Sequence, residues 1–315
     1  MNNISVVRTE DESRRGLHLL IDILSPPLYT PRMKPRYLTA LYTSLTMVAF
    51  ASNSILNRLA LGQGSIDAVS YTTIRLMAGA ITLWLISFLQ RNDGGSKVRG
   101  SWISAAMLFI YAITFSLAYL SLTAGTGALI LFGTVQVTMI LVALRSGERP
   151  QLLEWLGVLL ALGGLVYLVL PGLKAPSLLG SALMIVAGIA WGVYSLRGRG
   201  TGSPLADTAG NFIRAVPLII LIRLVTLNGV ELSQSGILLA ILSGAVASGV
   251  GYVIWYAALR GLTATRAAIV QLSVPVLAAW GGIVFLAEDI SLRLILAGAF
   301  ILGGIALAIT GRRKT

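Results

Sequence analysis

Ten runs of about 20 apolar residues follow one another along this chain, separated by short segments rich in glycine, proline and charge. A helix that crosses the roughly 30 Å hydrocarbon core of a bilayer needs about 20 such residues. The runs lie at 37–61, 68–90, 101–122, 125–144, 152–170, 178–196, 205–227, 236–259, 264–286 and 292–310. The pattern predicts an all-α membrane protein with ten transmembrane helices.

Composition excludes the main soluble alternatives. Hydrophobic residues make up 56% of the chain and charged residues only 11%, against about 25% charged in a typical soluble domain. The absence of cysteine excludes disulfides, thiolate metal sites and cysteine nucleophiles. The formal charge of +12 is spread over connecting segments rather than clustered on one face, so we expect no nucleic acid partner.

The positive charges indicate how the chain lies in the membrane, because an excess of lysine and arginine in short connections marks the cytoplasmic side. One side carries fifteen of them: Arg32, Lys34, Arg36, Arg91, Lys97, Arg99, Arg145, Arg149, Arg197, Arg199, Arg260, Arg266, Arg312, Arg313 and Lys314. The other side carries only Lys174 and Arg293. We predict a multi-pass protein of a bacterial-type inner membrane with both termini in the cytoplasm. Residues 1–36 are predicted to be a tail, with Met33 as an alternative start, and 312–315 a basic end.

An internal repeat divides the spans into two sets of five. Shifting the chain by 140 residues places 123–170 over 263–310 and aligns Glu148 with Glu288. Because five is odd, the second copy must enter the membrane in the opposite orientation. The prediction is a five-helix repeat at 37–172 and a second, inverted repeat at 173–311, which is typical of secondary transporters.

Local motifs in both copies carry a resemblance to a known family. Each copy has a small-residue turn into a helix, a glutamate, and then a glycine-rich helix. These are Ala124-Gly125-Thr126-Gly127-Ala128, Gly147-Glu148 and Gly163-Gly164, then Ala264-Thr265-Arg266-Ala267-Ala268, Glu288-Asp289 and Gly303-Gly304. Over residues 37–311 the chain resembles the EamA-type family of the drug/metabolite transporter superfamily. The resemblance implies an exporter or exchanger of amino acids and similar metabolites, with a central cavity lined by the first, third and fourth helices of each half.

Polar residues on the first span are candidates for the wall of this cavity. Tyr42, Thr46, Asn53 and Asn57 recur at helical spacing on one face. Polar groups in lipid are costly unless they face the protein interior. They either bind the solute by hydrogen bonds or hold two helices together.

A proline marks the ninth predicted span. Pro275 lies eleven residues after Ala264, which is about 16 Å along a helix that rises about 1.5 Å per residue. It leaves the carbonyl of Gln271 without its helical donor, and such groups are tolerated where they line a cavity. We predict a solute contact at Gln271 and Pro275, with Gln136 at similar depth in the first half. The alternative is a packing kink whose amide is satisfied by a neighbouring helix.

Aromatic side chains form a third candidate wall. They are Tyr111 and Phe115 on the third span, Trp191 and Tyr194 on the sixth, and Tyr252 and Trp255 on the eighth. Such walls suit an aromatic, amphipathic or cationic solute. Tryptophan and tyrosine near helix ends also serve as interface anchors, which is the alternative.

Two arginines lie inside predicted spans, Arg75 in the second and Arg214 in the seventh. They are candidate contacts for a substrate carboxylate or an exchanged anion. The alternative is that both side chains extend to lipid phosphates or to helix ends.

Residues and motifs that the spans lack exclude several classes of function. The spans contain no GxSxG, no HExxH and no aspartate pair, so we predict no enzyme, no cofactor and no metal site. No carboxylate lies near mid-membrane, which favours facilitated export or exchange over proton coupling. Drug or other small-molecule efflux with proton coupling, and a lipid-linked carrier on the same scaffold, are the alternatives.

The expected partners are a small-molecule substrate and the lipid bilayer. Small residues at Gly157, Ala161, Gly304 and Ala308 have the spacing of helix dimerisation motifs. They also suit tight packing inside one chain, so both a monomer and a homodimer fit the sequence.

Overall fold

The computed structural model describes residues 35–89, 99–145, 152–170, 175–198, 203–226, 230–262, 267 and 270–311, and ten helices have both ends within these ranges. They are α1 (Pro35–Gly62), α2 (Ala68–Leu89), α3 (Trp102–Ala118), α4 (Ala124–Arg145), α5 (Leu152–Val169), α6 (Leu178–Arg197), α7 (Pro204–Val225), α8 (Gln234–Leu259), α9 (Ser273–Leu286) and α10 (Leu292–Gly311). Within these ranges no strand forms, and the one extended pairing is a bridge between Ile66 and Leu232. The predicted tail before residue 35, the segment around Glu148 and the basic end at 312–315 lie outside the described residues.

Local sequence explains where several helices begin and end. The side chain of Ser177 accepts a hydrogen bond from the amide of Gly180 at the start of α6. Ser233 does the same for Gly236 at the start of α8. Pro204 occupies the first turn of α7, where its missing N–H costs nothing. At the C-terminal end of α9, Ala287 adopts a left-handed conformation (φ 51°) that ends the helix.

The prediction of an all-α membrane protein is confirmed. Among the described residues, α2, α6, α7, α8 and the segment Ala124–Val142 of α4 are long and apolar enough to cross a membrane. Four shorter apolar helices accompany them, at Trp102–Ala118, Trp155–Val169, Ser273–Leu286 and Leu292–Ala308. The longest helix, α1, carries many polar groups on its buried face and meets neither description. The count of ten spans therefore stays a prediction.

Two helices differ from the predicted regular spans. The ninth span was expected over 264–286 as one helix. Residues 267, 270 and 271 are helical, but a turn at Leu272 interrupts the helix and α9 begins at Ser273. Pro275 is the cause, since proline is tolerated in the first turn of a helix and not in its interior. In α8, residues Leu242–Val250 form a wider π-helical segment, which hydropathy does not reveal.

Most of the main contacts between helices have an equivalent contact when each helix is replaced by its counterpart in the other half. Three pairs contact their own counterpart: α2 with α7, α4 with α9, and α5 with α10. The remaining main contacts occur in matching pairs, because α3–α6 corresponds to α8–α1, α4–α6 to α9–α1, and α2–α8 to α7–α3. This pairing is what a duplicated five-helix unit would produce, and the inverted repeat itself stays a prediction.

Large apolar side chains cover the outside of the bundle. Trp84, Phe88, Leu159, Trp280 and Phe285 each expose 45% or more of their surface. A soluble protein rarely exposes apolar patches of this extent. The surface therefore fits a protein surrounded by lipid.

Small residues join α5 and α10 inside the chain. A side chain at Gly157 would collide with the backbone of Gly304 and Ala308, and Gly164 packs against Phe300 and Ile301. The residues with dimerisation spacing thus form an intramolecular contact in this structure, as the packing alternative expected.

The adjacent glycines of α10 provide a matched test of this contact. A Cβ at Gly304 would lie 2.6 Å from both the amide nitrogen of Ala161 and the carbonyl oxygen of Gly157, whereas a Cβ at Gly303 meets nothing within 4 Å. We expect Gly304→Ala to cost about 1–3 kcal/mol of unfolding free energy through overpacking. Gly303→Ala should leave the melting temperature of the purified protein unchanged or slightly higher. Equal melting temperatures for the two variants would show that α5 and α10 do not approach this closely.

Candidate central cavity

A small cavity of about 20 Å³ lies between the two predicted halves. Helices α1, α3 and α4 of the first half and α6 and α8 of the second half supply its walls. The lining residues are Phe50, Asn53, Ser54, Tyr111, Phe115, Leu131, Phe132, Trp191 and Tyr252. The resemblance implied six lining helices, and five of them contribute here. The sixth, α9, contributes no lining residue in the described part of the chain.

Aromatic rings in contact with one another form most of the wall. The ring of Trp191 lies 4.8 Å from that of Tyr111 and 5.3 Å from that of Tyr252, measured between centroids. Phe115 continues the wall at 5.3 Å from Tyr111, and Phe50 meets Tyr252 edge-on at 5.9 Å. Such offset and edge-on pairs hold each ring in place. The predicted aromatics Tyr111, Phe115, Trp191 and Tyr252 therefore lie together at one site.

One polar contact joins α1 to α8 beside these rings. The side-chain oxygen of Asn53 accepts a hydrogen bond from Ser243 Oγ at 2.8 Å and a longer one from Ser248 Oγ at 3.4 Å. The two serines are five residues apart, so an ordinary α-helix would separate them around its axis. The π-helical segment has a wider turn and brings both hydroxyls to the same face.

The other predicted residues of the first span lie along α1 without lining the cavity. Thr46 is buried and its hydroxyl donates to the carbonyl of Tyr42. Asn57 is also buried, and its amide donates to the carbonyl of Asn53 at 3.3 Å. Of the polar residues predicted on this face, Asn53 is the one in the cavity wall.

Arg75 of α2 is buried against the cavity wall, with 2% of its surface exposed. Its guanidinium lies 5.1 Å from the ring centre of Phe115 and 5.5 Å from that of Tyr111, and one nitrogen donates to the Tyr111 hydroxyl at 3.2 Å. The alternative that this side chain extends to lipid phosphates is wrong, because the side chain points into the protein.

Arg214, the second arginine, lies apart from the cavity. Its guanidinium donates to the carbonyl oxygens of Arg99 and Gly210 and is half-buried. It therefore fastens α7 to the connection between α2 and α3.

The remaining predicted residues border the cavity or lie beyond it. Tyr194 stacks on Trp191 at 5.3 Å, and Trp255 meets Phe50 edge-on at 5.9 Å. Gln136 is buried on α4, one turn beyond the lining residue Phe132. The amide of Gln271 donates to the carbonyl of Ala267, four residues before it, at 3.1 Å.

An ionic cluster closes one end of the bundle, the end that the charge bias predicts to face outward. Glu288, in the connection between α9 and α10, accepts hydrogen bonds from Arg58 Nε at 3.2 Å and from the amide of Ala124 at 2.8 Å. Arg58 also donates to the carbonyl of Tyr119 at 3.1 Å. Burial raises the pKa of Glu288, and the bonds from Ala124 and Arg58 offset part of that rise. We call Arg58, Tyr119, Ala124 and Glu288 the outer cluster.

A second set of contacts closes the opposite end. The amide of Gly100 donates to Asp207 at 3.3 Å, and the amide of Ser101 donates to Asn211 at 2.8 Å. Gly100 has φ +98°, which L side chains rarely adopt, so glycine is needed at this turn. Polar contacts thus join the predicted halves at both ends of the bundle.

Several cavity residues were missed in the sequence. Phe50, Ser54, Leu131 and Phe132 are ordinary residues of apolar spans, and nothing in their spacing distinguishes them from packing residues. For Ser243 and Ser248 a signal existed, because the run from Leu242 to Val250 is unusually rich in serine and glycine. Within the described ranges, no group of acidic or histidine side chains could hold a metal ion.

Comparisons with known proteins agree with this architecture. The EamA-like transporter family model matches residues 178–310. An uncharacterized protein of Pseudomonas aeruginosa is 52% identical over 274 residues, which cover 87% of this chain and 95% of that protein. An uncharacterized transporter of Archaeoglobus fulgidus is 28% identical over 76% of this chain and 86% of its own length. The uncharacterized transporter YoaV of Bacillus subtilis is 22% identical over 78% of this chain and 88% of its own length.

One solved protein crystal structure superposes with a TM-score of 0.60 and covers 84% of this chain and 95% of its own. At 22% identity it supports the fold alone. Sequence motifs, helical architecture and relatives agree, and the chain belongs to the EamA-type family of the drug/metabolite transporter superfamily as a multi-pass membrane transporter.

Proposed function

We propose that the protein is a secondary transporter that exports or exchanges a small, amino-acid-like metabolite across a bacterial-type inner membrane. The observation that carries this proposal is the position of the central cavity. Its walls come from both predicted halves, and polar contacts join those halves toward each end of the bundle. Movement of one half against the other would break one set of contacts and keep the other, which is the basis of alternating access.

The lining residues support facilitated movement over proton coupling. A proton-coupled carrier usually has a titratable side chain in its pathway. Among the described residues, those that line the cavity are apolar, aromatic or uncharged polar residues, and none is acidic. The solute gradient itself is then the driving force.

Alternating access predicts that a cavity residue can be reached from each side of the membrane in turn. The native chain contains no cysteine, so a single introduced cysteine reports its own position. Ser54 lines the cavity, and Ser54→Cys is nearly isosteric. We expect a membrane-impermeant thiosulfonate reagent to modify this cysteine both in right-side-out and in inside-out vesicles.

The matched control is Ser116→Cys. Ser116 is fully buried on α3, where it accepts a hydrogen bond from Thr72 of α2 at 2.8 Å, and it does not line the cavity. This cysteine should stay unmodified from both sides. Modification of the Ser54→Cys protein from one side alone would contradict alternating access. The two vesicle types also test the predicted orientation when a tag is placed on either terminus.

A further inference from the structure

Resting on the proposed function, we propose that the transported solute carries a carboxylate on an apolar or aromatic body and that Arg75 binds this carboxylate. The claim goes beyond a transport cavity, since it names one chemical group of the solute and the residue that binds it. It depends on the surroundings of Arg75, on the groups that the arginine lacks, and on the character of the adjacent walls.

The guanidinium of Arg75 is enclosed by aromatic side chains. Besides Tyr111 and Phe115, the side chains of Tyr71 and Tyr252 lie close enough to interact with its charge. The backbones of α2 and α8 are in direct contact at this position. A Cβ at Gly244 of α8 would collide with the carbonyl oxygen of Arg75. The backbone at Arg75 therefore packs directly against α8, and the side chain lies inside the bundle.

The charge of Arg75 has no acidic partner within the described parts of the chain. The ion pairs found there are Arg58–Glu288 and Arg223–Asp67, which use other arginines. One terminal nitrogen of Arg75, Nη1, is buried without any hydrogen-bond partner. Burial of a charge is costly unless the charge is paired and hydrogen-bonded. An arriving anion would pair this charge and give Nη1 an acceptor.

A carboxylate fits these surroundings best. The planar guanidinium donates to two oxygens at once, which suits a carboxylate more than a single hydroxyl or carbonyl. Two of the rings in contact with Arg75, Tyr111 and Phe115, are also walls of the cavity. Arg75 lies behind these two rings and is not itself a lining residue. When the rings of Tyr111 and Phe115 move aside, a solute can place its carboxylate at Arg75 and its apolar body against Trp191 and Phe50. A cationic solute would instead be repelled by the arginine.

The carboxylate can belong to an organic acid or to an amino acid, whose ammonium group could rest on an aromatic face. Four probes separate these sources: phenylacetate, L-phenylalanine, phenylacetamide and phenethylamine. They share one aromatic body and differ in charge. Binding to the purified protein in lipid nanodiscs is measured by titration calorimetry and by the shift in melting temperature.

We expect phenylacetate to bind and to raise the melting temperature, and the neutral amide and the amine to bind at least tenfold more weakly. Binding of L-phenylalanine alongside phenylacetate assigns the amino acids to the substrate class, and its failure to bind restricts the class to organic acids. If neither carboxylate binds, or if phenylacetamide binds as well as phenylacetate, the proposal is overturned. This comparison uses the native protein and needs no variant.

Variants test the role of the arginine itself. Arg75→Gln should weaken phenylacetate binding at least about tenfold, as expected for loss of a charged hydrogen bond. Arg75→Lys should retain part of the binding. Arg214→Gln removes an intramembrane arginine away from the cavity and should leave binding unchanged. Without ligand, Arg75→Gln should melt no lower than the native protein, whereas an arginine with a purely structural role would lower the melting temperature when replaced.

Failure of this proposal and failure of the transport proposal are distinguishable. Two-sided modification of the Ser54→Cys protein reports alternating access without any solute. If two-sided modification persists while Arg75→Gln binds phenylacetate normally, the carboxylate assignment is wrong and the transporter stands. If phenylacetate binding depends on Arg75 but modification is one-sided, the cavity binds the anion without carrying it.

Discussion

Replacing Glu288 by alanine is expected to open the outer end of the bundle. The carboxylate joins Arg58 of α1 and the first amide of α4 to the connection between α9 and α10. Its removal leaves Arg58 without its ionic partner and the start of α4 without an acceptor. In the Ser54→Cys background we expect modification from the outer side to become at least fivefold faster and modification from the inner side to become slower.

The neighbouring residue provides the control. Asp289 is exposed and lies beside Glu288 in the same connection. Asp289→Ala removes the same charge from the same segment and should leave both modification rates unchanged. If both variants behave alike, the effect comes from the charge of the segment and the outer cluster does not hold the bundle closed.

Acidification should act in the same direction as the Glu288 substitution. Because burial raises the pKa of Glu288, this carboxyl takes up a proton at a higher pH than an ordinary glutamate. Protonation removes its negative charge and weakens its attraction for Arg58. Because the reagent reacts with the thiolate, each rate is divided by that of a freely exposed cysteine at the same pH. In the Ser54→Cys protein, this ratio for outer-side modification should rise as the pH falls, and Glu288→Gln should abolish the rise.

Replacing Asn53 by leucine is expected to lower stability and disturb the cavity together. The Asn53 oxygen is the acceptor for Ser243 and Ser248 on α8. Each buried hydroxyl left without an acceptor costs about 1–3 kcal/mol, although hydrogen bonds between membrane helices average about 0.6 kcal/mol. We expect a net loss of about 2 kcal/mol, measured as a melting temperature about 5 °C lower.

A combined variant separates the hydrogen bonds from simple packing. In Asn53→Leu/Ser243→Ala/Ser248→Ala the unpaired hydroxyls are gone, so much of the lost stability should return. Ser52→Leu is the control, because the hydroxyl of Ser52 bonds within its own helix to the carbonyl of Val48. No recovery in the triple variant would mean that Asn53 contributes through its shape and not through these bonds.

The periodic apolar runs predicted nearly every helix, because an apolar helix in lipid satisfies its own backbone and needs no distant partner. The two departures from the predicted regular helices occur where hydropathy does not indicate the backbone geometry. The turn before Ser273 depends on how a proline is accommodated, and the π-helical segment of α8 depends on side chains from another helix. Neither feature changes the mean hydropathy of its span.

Residue type predicted some of the residues at the candidate site, and the others depend on how the helices pack. Asparagine and aromatic residues within the spans were recognisable candidates, and Asn53, Tyr111, Phe115, Trp191 and Tyr252 do meet at the cavity. Periodicity along one helix could not separate Asn53 from Thr46 or Asn57. The distinction depends on which turn of α1 faces α8, and no local pattern encodes that choice.

The sequence by itself determined the membrane class, the helix positions and the family, because these follow from local composition and short motifs. Only the tertiary structure shows what Arg75 and Arg214 contact, since both appear in the sequence as arginines inside a predicted span. One fastens α7 to a connection, while the other is enclosed by tyrosines and phenylalanine beside the cavity. A charge takes its role from the groups around it, and those groups come from helices distant in the chain.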